Sequence, residues 1–250
     1  MKIIRSIIPI PDSIYKFIKL YRLNRLLFNR FVHMIKFIYP KVKICKICNW
    51  SGGRFFEETR CPVCFSMPRH RFMSYILKNE DFKNKKILII GPDMPELLML
   101  RKKGIKDFKV LNIIDTLFTD IVCDITKSNL GKNSFDYIFM WHVLEHIIDD
   151  VLAVENIFSL LKKHGKFFFS VPIFPWGNKI SYVPECKNRE QKIKKMGHHD
   201  HVICCGEDYA DRFNQINFTS HEKNNVKSFK KSEIEKYHLD LNHYAWILTK

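Results

Sequence analysis

From Lys86 onward, apolar residues gather in short continuous runs, with amphipathic stretches and Gly- or Pro-bearing breaks between them. A continuous apolar run bounded by turn residues predicts a strand buried on both faces of a parallel sheet. Ile87–Ile90 is the first such run. Gly91 after it permits a tight turn and a close ligand approach, and Pro92 suits a loop or a helix start. Leu97–Lys103 reads as a helix with a basic end, closed by Gly104. Phe108–Ile114 reads as the next strand, ending at Asp115, and Asp120–Asp124 follows it. Phe135–Trp141 is another buried strand. Glu145–Leu161 reads as a helix capped by Gly165, and Lys166–Val171 as a strand stopped by Pro172. Strands and helices alternating at these lengths predict an α/β fold with a parallel sheet.

The ends of these strands carry polar side chains. An acidic residue at Asp115 suits hydrogen bonds from two ribose hydroxyls. Asp124 suits an amino group on a purine ring, with the Ile125 amide donating to the same ring. His142 follows the Phe135–Trp141 strand, at the rim where open parallel sheets bind ligands. His146 comes one helical turn later, and Glu145 also suits a helix start through the helix dipole. Gly197-His-His-Asp-His201 lies in a polar loop after the Lys166–Val171 strand.

Upstream, Cys45-Lys-Ile-Cys48 and Cys61-Pro-Val-Cys64 form two paired-thiol turns separated by twelve residues. Cys45, Cys48, Cys61 and Cys64 fit the four-thiolate shell of a structural zinc ion with no open position. Lys43, Lys46 and Arg60 offset its negative charge. Arg69-His70-Arg71 then opens an amphipathic helix with Phe72, Tyr75, Ile76 and Leu77. That helix suits docking of the cysteine module, or an anion contact near the site. Cys123 reads as core packing.

The parts Cys61-Pro-Val-Cys-Phe-Ser-Met-Pro-Arg-His-Arg71, His142-Val-Leu-Glu-His146, Asp200-His-Val202 and Gly206-Glu-Asp-Tyr209, with the Ile87–Gly91 strand and turn, carry a resemblance. From about Cys45 to Lys250 the chain resembles the class I S-adenosylmethionine-dependent methyltransferases, in the type 11 branch that places a small cysteine module ahead of the catalytic domain. The resemblance implies a Rossmann-like methyltransferase fold with a mostly parallel seven-stranded sheet, preceded by a zinc ribbon. It implies S-adenosylmethionine as cofactor, contacted by Gly91, Asp93, Asp115, Asp124, Ile125, Trp141 and His142. It supports the Asp200–His201 pair, with His201 as general base, Asp200 orienting it and His142 as a further catalytic candidate. Two departures stand out. The glycine-rich turn is reduced to Gly91, and Ile203 stands where an arginine often follows the Asp-His-Val triplet.

The 250 residues leave room for one α/β domain and a small module. The expected boundaries are a basic helical arm over 1–43, a cysteine module with docking helix over 44–78, and the methyltransferase domain over 79–250. The net charge is +16, and residues 1–43 hold ten Lys or Arg against the single acidic Asp12. Ile14, Phe17, Ile18 and Tyr21 fall at helical spacing among those cations. Such an arm suits an anionic membrane surface, nucleic acid, or packing on the domain. No window of about 18 residues is free of charge, so no spanning helix is expected. Cysteines in metal-type spacing suit a reducing cytoplasm, with peripheral contact at the inner membrane face through residues 1–40. The expected reaction is O-methylation of a small or glycan-type hydroxyl. Methylation of nucleic acid is the alternative, although the chain lacks an Asp/Asn-Pro-Pro-aromatic motif and a Pro-Cys nucleophile. A non-catalytic module retaining the fold is a third.

Overall fold

The computed structural model describes residues 42–105 and 107–250. The basic arm expected over 1–43 lies almost wholly outside them. Lys43–Ile44 (β1) and Ser51–Gly52 (β2) pair antiparallel as a small hairpin. Pro68–Ile76 (α1) leads into Ile87–Ile90 (β3), Met94–Lys102 (α2), Phe108–Asn112 (β4), Ile121–Val122 (β5) and Phe135–Trp141 (β6). Asp150–Leu160 (α3), Leu161–Ser170 (β7), Arg189–Met196 (α4), Ser220–Asn225 (β8), Lys231–Tyr237 (α5) and Tyr244–Thr249 (β9) complete the chain. Seven strands form one sheet in the order β5-β4-β3-β6-β7-β9-β8. The pairs among β3 to β7 are parallel, and β9 runs antiparallel to both β7 and β8. This is the mostly parallel seven-stranded sheet expected from the sequence.

Strand side chains alternate between the two faces of the sheet. Leu88, Ile90, Ile138, Met140, Phe167, Phe169 and Trp246 join one apolar core, under α3 and the 203–216 segment. Ile87, Ile89, Tyr137, Phe139, Trp141, Phe168 and Ile247 join the other. That second core also holds Cys45, Ile47, Trp50, Phe55 and Phe72, so the cysteine module packs directly on the sheet. Arg71 makes the junction. It is fully buried, stacks 4.1 Å over Phe55, and donates to the carbonyls of Ser66, Thr59, Tyr237 and His238. Four carbonyl acceptors around one guanidinium satisfy its fork of donors without a carboxylate.

Three local expectations change. The continuous helix from Glu145 is replaced by a single 3-10 turn, Leu144–His146, with α3 beginning only at Asp150. The Glu145 carbonyl accepts from Val202 and Ile203, so the 200s loop takes the bond that would have propagated the helix. Gly165 lies inside β7 and caps no helix. A Cβ there would come 2.8 Å from the Lys162 carbonyl and 3.1 Å from that of Asp136. The strand from Phe108 stops at Asn112, whose side-chain oxygen accepts from the Ile113 amide and ends the ladder. Among the described residues no helix is long and apolar enough to cross a membrane.

Candidate functional site: a cleft at the carboxyl ends of the strands

β3, β4 and β6 end side by side, and a cavity of about 160 Å³ opens beyond them. Ile90, Gly91, Leu111, Asn112, Asp124, Ile125, Met140, Val143 and His146 line it. Gly91 adopts φ +59°, and a Cβ there would stand 3.0 Å from Val143 Cγ2. Any larger residue would be strained and would narrow the floor of the cleft. The Asp124 carboxylate accepts from the Thr126 amide and hydroxyl, which hold it below the usual carboxylate range. It therefore stays ionised at the mouth of the cavity. This cradle of small turn, apolar floor and anchored carboxylate fits an adenosyl group.

Of the remaining sequence candidates, Ile125 lines the cavity and Asp115, Asp93 and Trp141 do not. Asp115 lies three residues beyond the end of β4 in an exposed loop, and Asn112 occupies the strand end instead. The Asp93 carboxylate faces Arg69, which donates to it at 2.6 Å, and His70 at 3.4 Å. Trp141 belongs to the opposite core, packed against Phe72, because it alternates with Met140. Ile125 lines the cavity, and its carbonyl accepts from Asn156.

His142, Glu145, His146 and His201 come together. Glu145 is only 1% exposed, and its Oε1 lies 3.7 Å from His142 Nδ1, 3.8 Å from His146 Nε2 and 3.9 Å from His201 Nε2. Burial pushes the Glu145 carboxyl up to about 8 and the His201 imidazole down to about 4. Burial also holds His142 well below the usual range. His142 carries φ 55°, a left-handed conformation rare outside glycine, and its amide donates to the Ser170 carbonyl. Strain of this kind is retained where a side chain must be aimed.

Asp200 does not orient His201. Its carboxylate pairs with His199 at 3.0 Å, and His201 Nδ1 instead donates to the Met196 carbonyl at 2.8 Å. The 3-10 turn, not sequence adjacency, decides which groups meet. His201 also lines a second cavity of about 210 Å³, together with Phe174, Trp176, Met196, Asn242 and His243. Glu145 and His243 are the residues that sequence reasoning passed over. The His142-x-x-Glu145-His146 spacing held the signal for Glu145, whereas His243 comes from a distant segment with no local signature.

In the cysteine module, Cys45 Sγ lies 3.6 Å from Cys64 Sγ, and Cys48 Sγ lies 3.5 Å from Cys61 Sγ. All four sulfurs fall within 4.8 Å of one another. Thiolates about 2.3 Å from one tetrahedral ion stand roughly 3.8 Å apart, so this donor set has the dimensions of a metal centre.

A model of the methyltransferase domain matches residues 70–237. No curated protein matches the chain. Among solved structures it is similar to a SAM-dependent methyltransferase from Archaeoglobus fulgidus, at 14% identity and a TM-score of 0.51, over 72% of this chain and 94% of that one. It is similar to 1,6-didemethyltoxoflavin-N1-methyltransferase of Burkholderia thailandensis at 15% identity and a TM-score of 0.51, over 73% and 78% of the two chains. A SAM-dependent methyltransferase from Mesorhizobium loti gives 10% identity and a TM-score of 0.51, over 72% and 98%. The chain belongs to the methyltransferase-domain family and shares the fold of S-adenosylmethionine-dependent methyltransferases.

Proposed function

We propose that this protein transfers a methyl group from S-adenosylmethionine to a hydroxyl of a small or glycan-type acceptor. The supporting observation is the adjacency of two cavities across one imidazole–carboxylate cluster. His146 lines the cavity at the strand ends and His201 lines the other. When bound, S-adenosylmethionine supplies a methyl on a sulfonium, and in-line displacement leaves the electron pair on sulfur. The chain aligns the partners, which by itself supplies much of the barrier reduction. Gly91 and Val143 shape the floor, and Asp124 holds the purine end. Trp176 and Phe174 offer apolar walls to the acceptor, and His243 and Asn242 offer polar atoms. The hydroxyl proton passes to the cluster around Glu145 as the methyl–oxygen bond forms. His201 keeps its role at the acceptor side, with the Met196 carbonyl in place of Asp200 as its orienting partner.

Calorimetry on the full chain tests the cofactor half of this reading. Asp124→Ala is expected to weaken S-adenosylmethionine binding about tenfold, the loss of hydrogen bonding to a charged acceptor. Unchanged affinity would remove Asp124 from the pocket. Labelled-methyl transfer to fractionated extract then identifies the acceptor. Label in RNA would favour the nucleic-acid alternative, and the absence of any labelled product would favour the non-catalytic one.

The four thiols are read as a structural zinc site, closed to catalysis because all four positions come from protein. Residues 1–40, outside the described residues, are read as a peripheral anchor to anionic membrane on the cytoplasmic side. Their excess of cations beside apolar residues is the motive. Deleting residues 1–40 is expected to abolish co-sedimentation with vesicles containing phosphatidylserine while leaving cofactor binding intact. Equal sedimentation of both proteins would refute the anchor.

A further inference from the structure

We propose that Glu145, His146 and His201 form a second metal site, one that takes a divalent first-row transition cation between the two cavities. Three ligand atoms, Glu145 Oε1, His146 Nε2 and His201 Nε2, lie within 4.8 Å of one another. The separations from Oε1 are 3.8 and 3.9 Å. These are too long for hydrogen bonds. They approach the roughly 3.4 Å expected of two ligand atoms about 2.1 Å from one tetrahedral ion.

The tautomers support the same conclusion. His201 Nδ1 faces the Met196 carbonyl at 2.8 Å, and His146 Nδ1 faces the Asp200 carbonyl at 3.2 Å. A carbonyl can only accept, so each Nδ1 carries the proton and each Nε2 presents a lone pair. Both nitrogens then stand 3.8 and 3.9 Å from the same carboxyl oxygen. At these distances a proton on Oε1 reaches neither nitrogen, whereas a cation between the three atoms engages all of them. Histidine ligands fixed by an outer hydrogen bond on the other nitrogen are the usual arrangement at metal sites.

Independently, Glu145 is 1% exposed and its Oε2 has no hydrogen-bond partner in the structure. A group buried in this way is either protonated or, as a carboxylate, paired with a cation, and a bound metal ion is the cation that would replace its proton. Arg69, Arg71 and Lys195 make their recorded bonds elsewhere, to Asp93, to backbone carbonyls and to Glu185. Two imidazoles and one carboxylate leave coordination positions open, unlike the closed four-thiolate cluster. His201, one of the three ligands, also lines the acceptor cavity. With the ion bound, His201 Nε2 is a ligand and no longer the base. An acceptor oxygen completing the coordination would be held beside the methyl donor and acidified by the ion, losing its proton to solvent. This role in transfer rests on the methyltransferase reading above, whereas metal binding does not.

Titration of the full-length protein with Mn²⁺, followed by electron paramagnetic resonance without S-adenosylmethionine, tests the site. Co²⁺ titration in parallel separates the two centres, since thiolate coordination gives intense charge-transfer absorption and nitrogen–oxygen coordination gives weak bands. One equivalent of ion beyond the thiolate site is expected in the wild type. His201→Ala and His146→Ala should each weaken it at least tenfold while circular dichroism stays unchanged. His199→Ala should bind as the wild type, because His199 belongs to the exposed cluster with His198 and Asp200. The proposal is overturned if neither ion binds beyond the thiolates. It is also overturned if His201→Ala and His146→Ala bind normally, or if only His199→Ala loses the ion.

Discussion

Cys61→Ser is expected to lower the melting temperature by about 10–20 °C and to abolish the binding of the zinc ion proposed for the four thiols. Structural zinc contributes its binding energy directly to folding, with apparent values of about 10–16 kcal/mol in small zinc-dependent folds. A loss of about 5 kcal/mol, well below that ceiling, already gives the shift stated, at roughly 2–4 °C per kcal/mol for a chain of this size. The module has little regular structure of its own. Its hairpin consists of two-residue strands, and Cys45 and Cys61 are themselves fully buried in the core shared with Ile87 and Phe139. The strand-end cleft proposed for the cofactor lies on the other face of the sheet, around Ile90, Leu111 and Met140. Cofactor affinity measured well below the new melting point should therefore stay near that of the wild type. Elemental analysis and scanning calorimetry give the answer. Metal-free protein melting like the zinc-loaded form would dismiss the structural role.

Asp150→Leu is expected to cost about 3 kcal/mol and to lower the melting temperature by about 6–12 °C. Asp150 is buried at the start of α3. Its carboxylate accepts from Arg212 Nε and Nη2, both at 2.7 Å, and from the Tyr209 hydroxyl at 2.9 Å. Removing the anion leaves a partly buried guanidinium and a fully buried phenol without an acceptor. Arg212 keeps about a quarter of its side-chain surface in water, which places the cost at the lower end of the range for broken buried pairs. The double variant Asp150→Leu with Arg212→Met should recover part of the loss, because no charge is then stranded. Thermal melts of the two proteins decide it. Equal destabilisation in single and double variants would mean that packing, not the unpaired charge, sets the cost.

This ion pair also explains the Gly206-Glu-Asp-Tyr209 segment. A Cβ at Gly206 would meet the Ile180 backbone at 2.6 Å, so glycine is needed where the two loops cross. Asp208 ties the same crossing by accepting from the Ser181 amide and hydroxyl. Together these contacts seat the 200s loop against α3. The adjoining bonds from Val202 and Ile203 to the Glu145 carbonyl then bring His201 to the site.

The sequence by itself determined the frame of this protein. Runs such as Ile87–Ile90 and Phe135–Trp141 are apolar on both sides of a period-two repeat, so they had to become strands covered on both faces. Paired Cys-x-x-Cys turns bring thiols together through local geometry alone, which made the module legible before any fold was known. The places of Gly91 and Asp124 on the cavity wall were legible for a related reason, since Gly91 follows a strand directly and Asp124 lies two residues past one. Tertiary structure decided the chemistry beyond them. Trp141 and Met140 are neighbours in sequence, yet the sheet sends them into opposite cores. Asp200 and His201 are neighbours as well, yet their side chains take different partners. The helix expected from Glu145 onward gave way because two amides from the 200s loop claimed its first carbonyl. That interruption gathers Glu145, His146 and His201 at one point. Local propensity cannot foresee it, because the competing donors come from more than fifty residues away in the chain.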